Sequence, residues 1–495
     1  MKKSILIMFA FALVSVSCSD FLDVNDNPNN PPISTPRLTL PVAQQSFSTL
    51  NARTMTYLGN FLVVNWATPS NWSSNEIYSR YNFTATDFSN IFETSYADIF
   101  KNLTYIETYE DPTGAVDYTY YQAISKIIKG FQYQMLVDLY GDVPYTEANL
   151  RGDNTTPKYD DAETVYKAVI EELTAVVDLI NNAPTNAQNP ETQDIIFGGN
   201  MSHWVEFANT IKLRMLVRLS NTGQDSYIAS QIATINANGA GYITTDVTSN
   251  PGYTTAEFKQ NPFYDYFRQP VTGDEQNRGD YTVASEHAIT YLTNTSDPRL
   301  ERLYAPSENA DEFKGTEQKT ILPGTGFTSK DLAKVGPGLI KSAEGDQIIM
   351  SMAEALFIQS EATTRGYISG GDAAAQANYE AAIEASFTQL EVADPIASAQ
   401  TYYAQTTPNV NWSNSSNKIQ AIITQKWVAL NGTSSIESWI DLTRTGYPVG
   451  LPIPEESNGS RPVRLLYPST EVSRNSDNVP TLTSDDVFTK NPFWK

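Results

Sequence analysis

Apolar residues recur at helical spacing along most of the chain. Ile124, Ile127, Ile128, Phe131, Met135 and Leu139 fall near one face, and Gly141 with Pro144 closes that run. A second helix is predicted to open at Asp160/Asp161 and to carry Val165, Val169, Leu173, Val176 and Ile180. A third is predicted from Ser202, with Trp204, Phe207, Ile211, Met215 and Leu219 on its stripe. Further helices are expected over roughly 346–366, 372–390 and 416–430, the last capped by Ser415 or Ser416. Between 239 and 345 the period gives way to Gly, Pro, Thr and aromatic residues, so loops with short elements are expected there.

A short segment recurs. Tyr166-x-Ala168-x-Ile170-Glu171 matches Tyr379-x-Ala381-x-Ile383-Glu384. Small residues at fixed positions let paired helices approach closely, the physical basis of tetratricopeptide-like stacking. Periodicity alone supports either such a repeat or an irregular helical bundle.

The N-terminus changes the picture. Met1-Lys2-Lys3 precedes an apolar run from Ile5 to Val14, too short for the roughly 20 residues that span a bilayer. A positive start, a short apolar stretch and small residues describe a secretory signal. Ser15, Val16 and Ser17 then lead to Cys18, the only cysteine in the chain, which fits the lipobox of a bacterial lipoprotein, although Ser15 stands where Leu is usual. The predicted layout is a signal peptide at 1–17, a lipidated Cys18 with an Asn/Pro-rich tether at 18–40, and one helical unit over 41–495. Asp23-x-Asn25-x-Asn27 mimics a calcium loop, but Pro28 takes the glycine position and Ser34 that of the bidentate Glu, so calcium is not expected there.

Composition narrows the chemistry. In 495 residues, 56 Asp+Glu face 33 Lys+Arg, for a formal net charge of −23, which argues against nucleic-acid binding. One Cys excludes a disulfide framework and Cys-rich metal sites, and only His203 and His287 remain as imidazole ligands. No HExxH, GxSxG, Walker A or GxGxxG pattern occurs. Ser415-Ser416-Asn417-Lys418 and Ser476-Asp477-Asn478 spell two β-lactamase elements without the third and read as coincidence. Asp160/Asp161, Glu171/Glu172 and Asp485/Asp486 are the pairs a glycoside hydrolase would need, the competing reading, yet acids also favour helix starts.

Aromatic residues interleaved with Asn and Arg are the stronger lead. Flat rings stack on the apolar face of a sugar while amides and guanidinium groups bond its hydroxyls, and pockets combine apolar area with a few aimed polar groups. Trp66, Asn71, Trp72, Tyr78 and Arg80 form one such stretch, and Phe263, Tyr266 and Tyr281 belong to another. These eight are the candidate ligand-binding residues, with core packing as the reading to beat for any single ring.

Several motifs then occur in a specific order. They are Cys18-Ser19-Asp20-Phe21-Leu22, Gly141-Asp142-Val143-Pro144-Tyr145, and Trp204-x-x-Phe207-Ala208-Asn209-x-x-Lys212-x-Arg214. Asp297-Pro298-Arg299, Ala353-Glu354-Ala355, Gln425-Lys426-Trp427, Asp441-Leu442-Thr443-Arg444 and Arg464-x-x-Tyr467-Pro468 follow. This order resembles the SusD/RagB-like outer-membrane lipoproteins of Bacteroidetes over essentially the whole chain. The resemblance implies an all-α fold of tetratricopeptide-like helix pairs packed with a loop-rich variable region. It also implies a non-enzymatic subunit without cofactor, anchored on the cell surface by lipid alone. Such a subunit captures an oligosaccharide or peptide for a SusC-like TonB-dependent barrel. The shared motifs are scaffold: Arg444 and Arg464 are expected in buried ion pairs.

Overall fold

A computed structural model describes residues 34–319 and 324–495. The expected signal peptide, Cys18 and the calcium-loop mimic up to residue 33 lie outside the described residues.

The periodic runs are helices. Thr119–Tyr140 ends at Gly141, whose φ of 81° suits a residue without Cβ. Ala162–Asn181 starts behind Asp161, whose carboxylate accepts the Thr164 N–H at 2.9 Å. Met201–Arg218 is capped by the Asn200 amide oxygen, which accepts from the Ser202 and His203 N–H groups. Met352–Thr364, Gly371–Gln389, Lys418–Ala429 and Ser435–Thr445 complete the main set. Successive helices pack against each other as 119–140 on 162–181, 162–181 on 201–218 and 352–364 on 371–389. Both copies of the short motif lie within helices, with Tyr166, Ile170, Tyr379 and Ile383 all enclosed. One continuous cluster of buried side chains runs from Leu40 to Trp494.

Three expectations are corrected. The helix Pro36–Leu50 begins within the range assigned to the tether, with Pro36 at the first helical position, where its missing N–H costs nothing. Gln347–Met350 is a strand paired antiparallel with Val247–Ser249, not the start of a helix. The apolar run Ile348-Ile349-Met350 reads alike for a buried strand or a helix, and Ser351 then caps the true helix through the Glu354 N–H. Asn417, not Ser415 or Ser416, caps 418–429; the Ser415 hydroxyl donates to the Asn411 carbonyl and accepts from the Asn409 N–H.

A charged network ties five helices together. Arg214 reaches Glu354 at 3.0 Å, Arg218 reaches Asp441 at 2.9 Å and also Glu437, and Lys426 reaches Asp441 at 2.8 Å. Arg444 meets Glu361 at 2.6 Å and Asp441 at 2.9 Å, as an ion pair was expected to. Asp138 faces Arg218 at 3.4 Å and accepts the Trp494 indole N–H at 2.7 Å. Desolvating such ions costs several kcal/mol each, so the enclosed charges must be matched. Burial raises Asp441, but Lys426, Arg444 and Arg218 overcome that and hold it well below the usual carboxylate range. Burial pushes Asp138 up to about 6, against the pull of Arg218. Arg464 differs from expectation: its guanidinium donates to the Tyr140 carbonyl, which terminates the 119–140 helix, rather than to a carboxylate.

Candidate functional site

Four two-residue strands gather the loop-rich side into one sheet, in the order Trp66–Ala67, Val283–Ala284, Lys334–Val335, Tyr304–Ala305. Antiparallel pairing of Ala67 with Val283 brings the loop after residue 67 beside the short helix Asn277–Tyr281. Two aromatic stretches far apart in sequence thereby share one surface.

Trp72 lies on that surface, partly exposed. Its indole N–H donates to Asp280 Oδ2 at 2.7 Å, and its ring meets Tyr281 edge to face at 5.5 Å between centroids. Asp280 in turn accepts from Lys334 Nζ at 3.1 Å, and Lys334 is held by Glu275 and Glu308 as well. Burial raises Asp280, but hydrogen bonds from Trp72, Ser329 and Lys334 outweigh it and lower the carboxyl below its ordinary value. The indole is thus fixed before any ligand arrives.

Beside Trp72 is a cavity of about 450 Å³ lined by Pro69, Asn71, Trp72, Asn75, Glu76 and Gln318, among others. Asn71 is exposed but committed to the loop: its Oδ1 accepts the Ser329 N–H at 2.8 Å and its Nδ2 donates to the Ser329 hydroxyl at 3.2 Å. Arg80 is exposed and bridges Glu76, which lines the cavity, at 3.1 Å and Glu456 at 3.2 Å. Tyr266 is half-buried beneath the Arg278 guanidinium, 3.7 Å from its ring centroid.

Trp66 is a core residue, which corrects the expectation that it presents a ring to ligand; Tyr78 is buried but lines the Trp72 cavity, and Phe263 is buried and lines a separate cavity. Trp66 is 0% exposed, clasped by Tyr57, Phe61 and Phe267. Tyr78 stacks on Phe61 at 4.3 Å, and Phe263 packs on Phe267 at 5.0 Å. The fully enclosed Trp66 ring has no face left for a sugar. Asp280, Lys334, Arg278 and Gln318 were missed by the sequence reading; adjacency of Asp280 to Tyr281 was the one local signal.

A larger groove of about 1120 Å³ lies elsewhere, between the 36–50 helix and residues such as Phe92, Tyr96 and Arg474. The Tyr96 and Tyr105 hydroxyls are committed to the Pro144 and Ser34 carbonyls, and no tryptophan is among the described residues lining it.

The paired acids of the hydrolase reading hold the scaffold. Asp160 accepts from the Tyr145 and Thr146 N–H groups and Asp161 caps a helix. Glu172 pairs with Lys126, Glu171 accepts from Gln231, and Asp486 accepts the Thr483 N–H. His203 packs edge to face on Phe197 at 5.6 Å. No group of three or more potential metal ligands occurs among the described residues, and none of their helices is long and apolar enough to cross a membrane.

A family model described as "Starch-binding associating with outer membrane", SusD-like, matches residues 28–468. No match was found among curated proteins. Among solved structures, a protein named as chitin-binding is 25% identical, with a TM-score of 0.71 over 90% of this chain and 95% of its own. A SusD homologue from Bacteroides fragilis is 22% identical, with a TM-score of 0.70 over 90% and 94%. A SusD/RagB family protein from Bacteroides thetaiotaomicron is 16% identical, with a TM-score of 0.71 over 93% and 99%. The helix-rich fold with tetratricopeptide-like pairs agrees with these neighbours. The family is described as starch-binding, and one of these neighbours is named for binding chitin. With nine-tenths of its length matched by the family model, the chain belongs to the SusD-like family of outer-membrane-associated binding proteins.

Proposed function

We propose that this protein captures an oligosaccharide at the Trp72 cavity and delivers it to a SusC-like TonB-dependent transporter, while lipid on Cys18 tethers it to the cell surface. The partly exposed Trp72 ring, held by Asp280 and Tyr281 beside a 450 Å³ cavity, carries the assignment of the site. A ring held in place loses little freedom when a sugar stacks on it, so more of the contact appears as affinity. The starch-binding description of the family and the chitin-binding name of one neighbour favour glycan over peptide. Energy for uptake would come from the transporter's coupling to TonB, so this subunit requires no cofactor.

Two measurements test the reading. Calorimetry of the chain from residue 34 onward against malto- and chito-oligosaccharides should show saturable binding, whereas binding of peptides alone would reassign the ligand. Purification of the full-length protein from mild-detergent outer membranes should bring a TonB-dependent barrel with it in stoichiometric amount. A reproducible absence of that barrel, with the protein intact and surface-exposed, would remove delivery from the proposal.

A further inference from the structure

We infer that the Trp72 cavity is one half of a two-part cleft that takes a linear, uncharged oligosaccharide, with the second half lying across Gln318 beside His287. This rests on the reading of the protein as a glycan-capturing subunit and says which glycans it takes.

The two halves are adjoining. A second cavity, of about 390 Å³, shares Gln318 and Lys319 with the first. Each alone is near the lower end of the roughly 300–1,000 Å³ typical of ligand pockets, so each suits part of a chain rather than a whole large ligand.

Gln318 marks the divide. Its side-chain Nε2 donates to the Phe61 and Trp66 carbonyls, both at 2.7 Å, which settles the orientation of the amide. Gln318 is only 8% exposed, and its Oε1 has no hydrogen-bond partner among the described residues. A covered acceptor without a donor is unfavourable. A sugar hydroxyl or acetamido N–H entering at the divide supplies the donor it lacks.

The second half repeats the make-up of the first. His287 presents a half-buried imidazole against Trp427, 5.8 Å between ring centroids, and Ile453 with Pro454 adds apolar wall. Acidic residues outnumber basic ones around the cleft, most clearly in the second half, while Arg80 bridges Glu76 of the first. Glu76 lines the first, and Glu286, Glu317 and Glu455 line the second. Among the described residues Lys319 is the one lysine or arginine in either lining, and it is paired with Glu317. Burial and the nearby Arg461 charge lower His287, so the imidazole adds no compensating cation at neutral pH. A field of this sign repels uronate and sulfate groups, while neutral hydroxyls can still donate to the carboxylates.

Thr290, an exposed residue lining the second half, provides the test. Calorimetry would compare the unchanged protein with Thr290→Trp, which fills that half, using chito- and malto-oligosaccharides from dimer to hexamer and oligogalacturonates of matched length. The expected result is an affinity that rises with length in the unchanged protein. In Thr290→Trp, confirmed folded by circular dichroism, dimers should bind as before and the longer chains about tenfold more weakly, or 1.4 kcal/mol. Oligogalacturonates should fail to bind at low salt. Equal loss at every length, or no loss at any, would overturn the two-part cleft, and tight oligogalacturonate binding would overturn the preference for uncharged chains. If no neutral oligosaccharide of any length binds the folded unchanged protein, the capture reading itself falls, and the cleft with it.

Discussion

Trp72 donates its indole N–H to Asp280 across 208 positions of sequence, at 2.7 Å. The bond joins the loop that leaves the first strand of the small sheet to the helix that enters the second. It makes the orientation of this partly exposed ring a property of the tertiary fold.

Trp72→Ala should therefore weaken oligosaccharide binding at least about tenfold, or 1.4 kcal/mol, with little change in thermal stability. Asp280→Ala should weaken binding less, because the ring remains but is no longer held. Calorimetry on both variants checks the order. Equal affinity in a folded Trp72→Ala protein would remove the cavity as the site.

The enclosed network predicts a large stability effect from a single cation. Lys426→Met removes the ammonium 2.8 Å from Asp441 and leaves that carboxylate under-compensated in the core. Breaking a buried pair in this way costs about 3–5 kcal/mol. Urea denaturation should show the loss as a lower midpoint, and an unchanged midpoint would mean that Arg218 and Arg444 alone balance Asp441.

Asp138 gives a pH dependence of defined sign. Its folded value of about 6 lies above the ordinary carboxylate value of about 3.9, so in that window the folded state binds the extra proton. Stability contributed by that proton is present at the acid end and lost as pH rises through about 6. Melting temperatures of the unchanged protein should thus fall relative to Asp138→Asn between pH 4 and pH 7, both roughly at the limits of that window. A constant difference between the two proteins would contradict the raised value. Asp441 acts oppositely, its contribution being present above the ordinary carboxylate range and lost in stronger acid.

Gly59 permits a backbone-to-backbone crossing. A Cβ there would stand 2.2 Å from the Ile436 nitrogen and 2.3 Å from the Ser435 carbonyl carbon. Neither atom belongs to a flexible side chain, so the helix Thr56–Leu62 would have to move away from Ser435–Thr445. Gly59→Ala should destabilise by about 3 kcal/mol or more, the upper end of overpacking costs. Chemical denaturation measures it, and a loss below roughly 1 kcal/mol would show that the helices separate easily.

The helices were legible because their apolar positions repeat every three to four residues, and Asp161, Gly141 and Pro144 mark their ends in local chemistry. The strand at 347–350 was not, since four residues are too few to distinguish one period from another. The site was half legible. Aromatic residues among Asn and Arg did point to the 61–83 and 253–281 stretches, but composition is blind to which rings are covered. Trp66 and Trp72 are six positions apart and equally aromatic; one is sealed by Tyr57, Phe61 and Phe267, while the other faces a cavity.

By itself the sequence determined the helical class, the principal helix boundaries and, through ordered motifs, the family, because these depend on local periodicity, capping and short-range pattern. Only the tertiary structure decided that Trp72 meets Asp280 and Tyr281, that Gln318 stands between two cavities, and that Asp138 is shifted up while Asp441 is shifted down. Ring exposure, an unpaired amide oxygen and a shifted carboxyl all depend on neighbours brought together from distant parts of the chain. Desolvation and pairing act through space, and no local pattern encodes them.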